Sequence, residues 1–176
     1  MKLAYLVSSI GLVVLSSSVF AADGTIDFTG SITANTCTID GSTTSTTKTV
    51  DLGSVPASAL STVGQTAGNK SFSFVLTNCS SSATKVATRF ESLVASPEGY
   101  LSLTGAGSTG VAENVQVGIY DAAGELQPVN GVIPTTSYVD LDNGDATLNY
   151  TAAYYATGVA TPGDANAQVS YTLSYQ

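Results

Sequence analysis

The chain has 176 residues, of which only 10% are charged, and its thirteen Asp and Glu against five Lys and Arg give a formal net charge of −8. That balance excludes binding to nucleic acid or to an anionic membrane surface through clustered basic side chains. The absence of histidine excludes an imidazole base, a Ser-His triad and a histidine-ligated metal. A paired-carboxylate glycosidase site, which only folding could assemble, has no positive sign in the sequence, and no catalytic residue, cofactor or metal site is expected.

Residues 1–21 read as a secretory signal. Lys2 supplies the positive start, Leu6 to Leu15 carry most of the apolar segment, and Val19-Phe20-Ala21 offers small residues for cleavage after Ala21 or, as second choice, after Ala22. Ser8, Ser9 and Ser16 to Ser18 interrupt the segment, which falls short of the ~20 apolar residues of a membrane span. Its removal takes Lys2 away and leaves four basic residues against thirteen acidic ones, in one exported domain of about 155 residues.

Ile26, Phe28, Gly30 and Ile32 share one parity, while Asp23, Asp27, Thr29, Ser31 and Thr33 share the other, which is the pattern of a half-buried strand. Taken by itself, this stretch reads first as the opening strand of a β-sandwich. Cys37 and Cys79 are the only cysteines, and in an exported chain an even pair defaults to a structural disulfide.

Gly41 to Lys48 is a polar, Thr-rich loop. Val50 to Val55 reads as a short strand ended by Pro56, with a weak helical turn between Ala57 and Thr66. Phe72, Phe74 and Leu76 alternate through a core strand over Ser71 to Cys79. Further strands are expected over Lys85 to Leu93, over Tyr100 to Leu103, and at Val115, Val117 and Ile119, the last followed by a turn over Asp121 to Gly124. The glycine-rich Gly105 to Gly110 lacks the Lys-Ser/Thr ending and following helix of a phosphate loop and reads as a flexible turn. Asp140 to Asp145 has its glycine one position early for an EF-hand, with Thr151 where the loop needs Glu. Asn143-Gly144 instead marks a type I′ hairpin between Tyr138 to Leu141 and Ala146 to Tyr154. Asn78 and Asn149 match glycosylation acceptors but fall in strand or disulfide context and are read as coincidence.

The last fourteen residues carry the clearest signal. Gly163, Ala165, Ala167, Val169, Tyr171, Leu173 and Tyr175 fall on one parity and Asp164 through Ser174 on the other, so this is again a half-buried strand. It has no Lys, no Arg and no Pro after Gly163 to blunt its edge, and no later strand follows to pair with it.

A glycine fourteen residues from the C-terminus, alternating apolar residues and a penultimate tyrosine resemble the subunit-end motif of chaperone/usher fimbrial pilins. The D-L-G and F-x-F-x-L-x-N-C runs around Leu52 and Cys79 and the Y-Y-A-T and P-G-D-A-N-A runs near the end are similar to type 1 pilins too. The resemblance implies an all-β, immunoglobulin-like sandwich lacking its last strand. Residues 36–176 would be the pilin domain, and 22–35 a donor-strand extension presenting Ile26, Phe28, Gly30 and Ile32 to another subunit. It implies a periplasmic chaperone and an outer-membrane usher that recognise the strand of Gly163, Ala167, Val169, Tyr171, Leu173 and Tyr175. The partners would be copies of the chain or related pilins, in a fimbria on the bacterial surface that supports adhesion. A minor adaptor or tip-associated subunit, or a secreted carbohydrate-binding adhesin domain, is the alternative.

Overall fold

The structure, a computed structural model, describes residues 37–44, 47–80 and 82–176. The expected signal and donor extension, with Ile26, Phe28, Gly30 and Ile32, lie outside them.

The described residues form eight strands in two antiparallel sheets. These are β1 (Thr38–Ile39), β2 (Thr66–Thr77), β3 (Lys85–Glu91), β4 (Leu101–Ser102), β5 (Val115–Asp121), β6 (Val139–Asp140), β7 (Ala146–Ala156) and β8 (Ser170–Tyr175), with short 3-10 turns at Ala57–Leu60 and Thr135–Ser137. One sheet runs β1-β2-β7-β5-β4 and the other β6-β3-β8. Period-two patterning explains the layering. In β7, Leu148, Tyr150, Ala152, Tyr154 and Ala156 are buried, while Thr147 and Asn149 are exposed. In β3, Val86, Thr88 and Phe90 are buried as expected, and Ala87 on the opposite parity is buried too.

Aromatic rings tie the two layers together. Phe90 of β3 meets Tyr150 of β7 edge-on at 5.2 Å between centroids, and Phe74 of β2 lies 4.5 Å from Tyr171 of β8. Both distances suit offset or edge-to-face contact, each worth about 0.5–1.5 kcal/mol beyond buried area.

Three expectations need correction. Val50 to Val55 is not a strand: the Asp51 carboxylate accepts a hydrogen bond from the Gly53 amide, and Gly53 takes φ +70°, a local turn that interrupts extended pairing. Asn143 and Gly144 do adopt the positive φ pair of a type I′ turn, at 52° and 86°, with Asp142 and Asp145 exchanging main-chain bonds. Their flanking strands nevertheless form no hairpin ladder, because β6 pairs with β3 while β7 pairs with β2 and β5. The turn carries the chain from one sheet to the other. The terminal alternating run is a regular strand only from Ser170 onward.

Cys37 and Cys79 are disulfide-bonded, 42 residues apart in sequence, and the bond fastens the chain before β1 to the end of β2. Replacing both with serine should lower unfolding stability by about 2–4 kcal/mol on the chain-entropy argument. A urea titration comparing midpoints under oxidising conditions measures this, and equal midpoints would show that the cross-link contributes nothing.

Candidate functional site

The terminal segment borders an open groove. Ala165, Ala167, Val169, Tyr171, Leu173 and Tyr175 are half-buried against the core, while Asp164, Asn166, Gln168, Ser170 and Thr172 are exposed. The alternation read from the sequence therefore holds from Asp164 to Leu173, with Gly163 exposed and Ser174 half-buried at the ends, although its pairing changes midway. Early on, the Ala112 amide donates to Asp164 O at 2.9 Å and the Thr104 amide to Asn166 O at 2.7 Å. Later, β8 runs antiparallel to β3, with Glu91 opposite Ser170 and Val86 opposite Tyr175.

Lys85 and Gln176 exchange two main-chain bonds, of 2.9 and 3.0 Å. Antiparallel ladders alternate bonded and non-bonded pairs, so Ser174, Thr172 and Ser170 turn their amides and carbonyls toward β3. Tyr171, Leu173 and Tyr175 direct theirs to the opposite edge. Among the described residues, β8 has a strand partner on the β3 side only. The residues that face the core are thus the ones whose main chain points across the groove.

The groove has a volume of about 980 Å³. Its floor includes Phe72 and Phe74 of β2, Phe90 of β3, and Val117 and Ile119 of β5. Its first wall is Ala165 to Leu173, and its second is the segment 47–52, with Val50 and Leu52 packed on the core.

Each end of the first wall is pinned. At Gly163 an added Cβ would lie 2.4 Å from the Ala112 nitrogen and 2.5 Å from the Val111 carbonyl carbon, so the glycine is required by close main-chain approach and not by its φ. At the other end the Tyr175 hydroxyl donates to the Cys37 sulfur at 3.3 Å, and burial there pushes its phenol above the ordinary range. The penultimate tyrosine thus moors the strand to the disulfide. Gln176 O accepts from the Thr84 amide at 2.7 Å.

The second wall was missed by pattern reading. Its side-chain anchors are Asp40 and Lys48, an ion pair at 2.9 Å whose side chains are only 26% and 28% exposed. Asp40 also accepts from the Val75 amide at 3.0 Å, and Lys48 donates to Ser73 O. Burial acts to raise the Asp40 carboxyl, but the Val75 amide and the Lys48 ammonium outweigh it and hold the carboxyl below the usual aspartate range. Lys48 also sits 5.3 Å from the Phe74 ring centroid.

An immunoglobulin-like sandwich with an apolar groove beside its C-terminal strand defines a pilin-type fold. The description "Fimbrial protein" matches residues 26–176. The major fimbrial subunit SMF-1 of Stenotrophomonas maltophilia is 38% identical over 161 residues, covering 88% of this chain and 94% of that one. The type-1 fimbrial protein A chain of Escherichia coli K12 is 33% identical, covering 92% and 88%. Among solved structures, the P pilus rod subunit superposes with TM-score 0.61 at 21% identity over 80% of this chain and 99% of that one, a likeness of fold. The chain belongs to the fimbrial protein family. It is a structural subunit of a bacterial fimbria.

Gly163→Ala should already destabilise the domain, and Gly163→Val should cost about 2 kcal/mol or more, since main-chain neighbours cannot rotate away. Thermal melting of the purified domain reads this, and unchanged melting would remove the close-approach argument. Asp40 contributes stability that is present above the carboxyl's unfolded-state pKa and lost as pH falls through its depressed folded-state value. Asp40→Asn should therefore flatten the acid limb of a stability-against-pH curve, and an unaltered limb would assign that loss to other carboxylates.

Proposed function

We propose that the subunit polymerises by strand donation, with residues 22–35 of one copy, or of a related pilin, entering the groove of the next. The observation that carries this is the juxtaposition of an apolar floor with a wall, Ala165 to Tyr175, that points main-chain groups into the same opening. Strand addition of this kind, including the pilin case itself, is an established recognition mode. The alternation of Ile26, Phe28, Gly30 and Ile32 supplies the complementary face, three large side chains for the floor and a glycine where the backbone must come close.

The energy scale suits a durable joint. Burying Ile26, Phe28 and Ile32 gives ~5–9 kcal/mol at roughly 1.5–3 kcal/mol each. Each main-chain hydrogen bond adds about 0.5–1.5 kcal/mol, and ordering the extension offsets part of the sum.

In this reading residues 1–21 direct export through the periplasm and are removed. A periplasmic chaperone occupies the groove first, and an outer-membrane usher receives the complex through the Gly163 to Tyr175 strand. The processed subunit is 22–176, with 36–176 as the pilin domain. Relatives named as major subunits favour the shaft over a tip adaptor. Adhesion follows from the fibre that the subunit builds.

Deleting residues 22–35 should leave an exported subunit that forms no detergent-resistant multimers on unheated gels, where the complete chain gives a ladder. Gly30→Val should impair the ladder without preventing export. Normal ladders from the deletion would refute strand donation, and normal ladders from Gly30→Val alone would refute the register.

A further inference from the structure

The groove needs two walls, and they are built differently. The first is held by a ladder to β3 and pinned at Gly163 and Tyr175. The second, 47–52, belongs to no strand, and among the described residues its main chain makes no hydrogen bond to another main-chain group. Besides the packing of Val50 and Leu52 on the core, it is held at two points. Leu52 O nestles against Gly68, where a Cβ would lie 2.8 Å from that oxygen. At the other end stands Lys48.

Lys48 reaches away from its own backbone to Ser73 O and to the Asp40 carboxylate. Asp40 is itself locked to β2: its amide donates to Val75 O at 2.8 Å while its carboxylate accepts from the Val75 amide. The Lys48 ammonium lies 5.3 Å from the ring centroid of Phe74, a floor residue in tilted contact with Tyr171 of the first wall. A single side chain therefore joins the second wall, the floor and the edge of β2.

We infer that the Lys48–Asp40 pair is a positioning clamp, holding the 47–52 main chain open and extended at the distance from β8 that an entering strand requires. The inference rests on the strand-donation reading. A wall without ladder bonds loses conformational freedom when a strand docks, and that loss slows docking unless it has already been imposed. The clamp imposes it in advance. Charge-assisted hydrogen bonds to a partly buried pair are strong enough to do so. Once a strand is seated, its own bonds hold the wall, so the clamp governs the rate of filling and not the durability of the filled joint.

The test uses the complete processed chain, residues 22–176, and compares Lys48→Met, which removes the ammonium and keeps an unbranched side chain, with Asp40→Asn, which keeps the acceptor for Val75. Lys48→Arg serves as the conservative rescue. Time courses of detergent-resistant multimer formation should slow about tenfold for Lys48→Met and for Asp40→Asn, the effect of one charge-assisted bond worth ~1.4 kcal/mol, and Arg should restore the rate. Amides of 47–52 should exchange faster in the unfilled monomers of both slow variants, while the multimers eventually formed should resist heat as wild type does. A purely structural role would instead lower the heat resistance of monomers and multimers alike, which overturns the inference. Wild-type rates in both variants also overturn it. If wild-type multimers form equally well without residues 22–35, strand donation falls and the clamp with it, which separates the two failures.

Discussion

The structure turns on a mismatch between side-chain burial and main-chain pairing along one edge. Tyr171, Leu173 and Tyr175 pack toward the core, and the parity that turns their side chains inward also turns their amides and carbonyls away from β3. Apolar surface and main-chain polar groups therefore meet at one opening, where each raises the cost of the other. Main-chain groups beside an apolar floor are poorly satisfied by water, and the floor itself prefers contact with another apolar face. A single extended segment with alternating side chains meets both demands. A globular ligand or sugar would meet neither so fully, which is why a strand is the occupant proposed.

That mismatch persists because the strand is held at both ends. Gly163 presses against Ala112 where any side chain would collide, and Tyr175 reaches the disulfide sulfur. Phe74 packs against Tyr171 in between. These contacts hold the terminal segment along the edge of the groove. The disulfide thus acts beyond closing a loop, by giving the last turn of the wall a fixed mooring.

Much of this was legible in the sequence, for a reason specific to strands. Period-two alternation over 163–175 reports one-sided burial directly, and it survived even where regular pairing gave way to bonds with Thr104 and Ala112. Asn143-Gly144 announced its turn because its backbone geometry is local. What the strands on either side pair with is not local, and there the pattern misled: Val139 and Asp140 join β3 across the sandwich. Val50 to Val55 looked like a strand because its apolar residues alternate, whereas an Asp51 side chain and the left-handed Gly53 decide otherwise. The clamp carried no sequence signature at all. Asp40 and Lys48 stand at the two ends of a Thr-rich loop, and only the fold brings both against Ser73 and Val75.

The edges show why one opening persists while others are closed. In each sheet the outermost strands are potential templates for unwanted pairing. Here β1, β4 and β6 are two residues long, too short to recruit a partner. Beyond β1 the edge of β2 would be exposed, but Asp40 takes up the Val75 amide and Lys48 the Ser73 carbonyl, so side chains stand in for a strand. Among the described residues, β8 is the one edge strand of substantial length, at six residues, and it lies over the apolar groove. In the proposed assembly growth is confined to one edge per subunit. A fibre needs that asymmetry. A second long edge bordering an apolar groove would drive branching aggregation in place of linear growth.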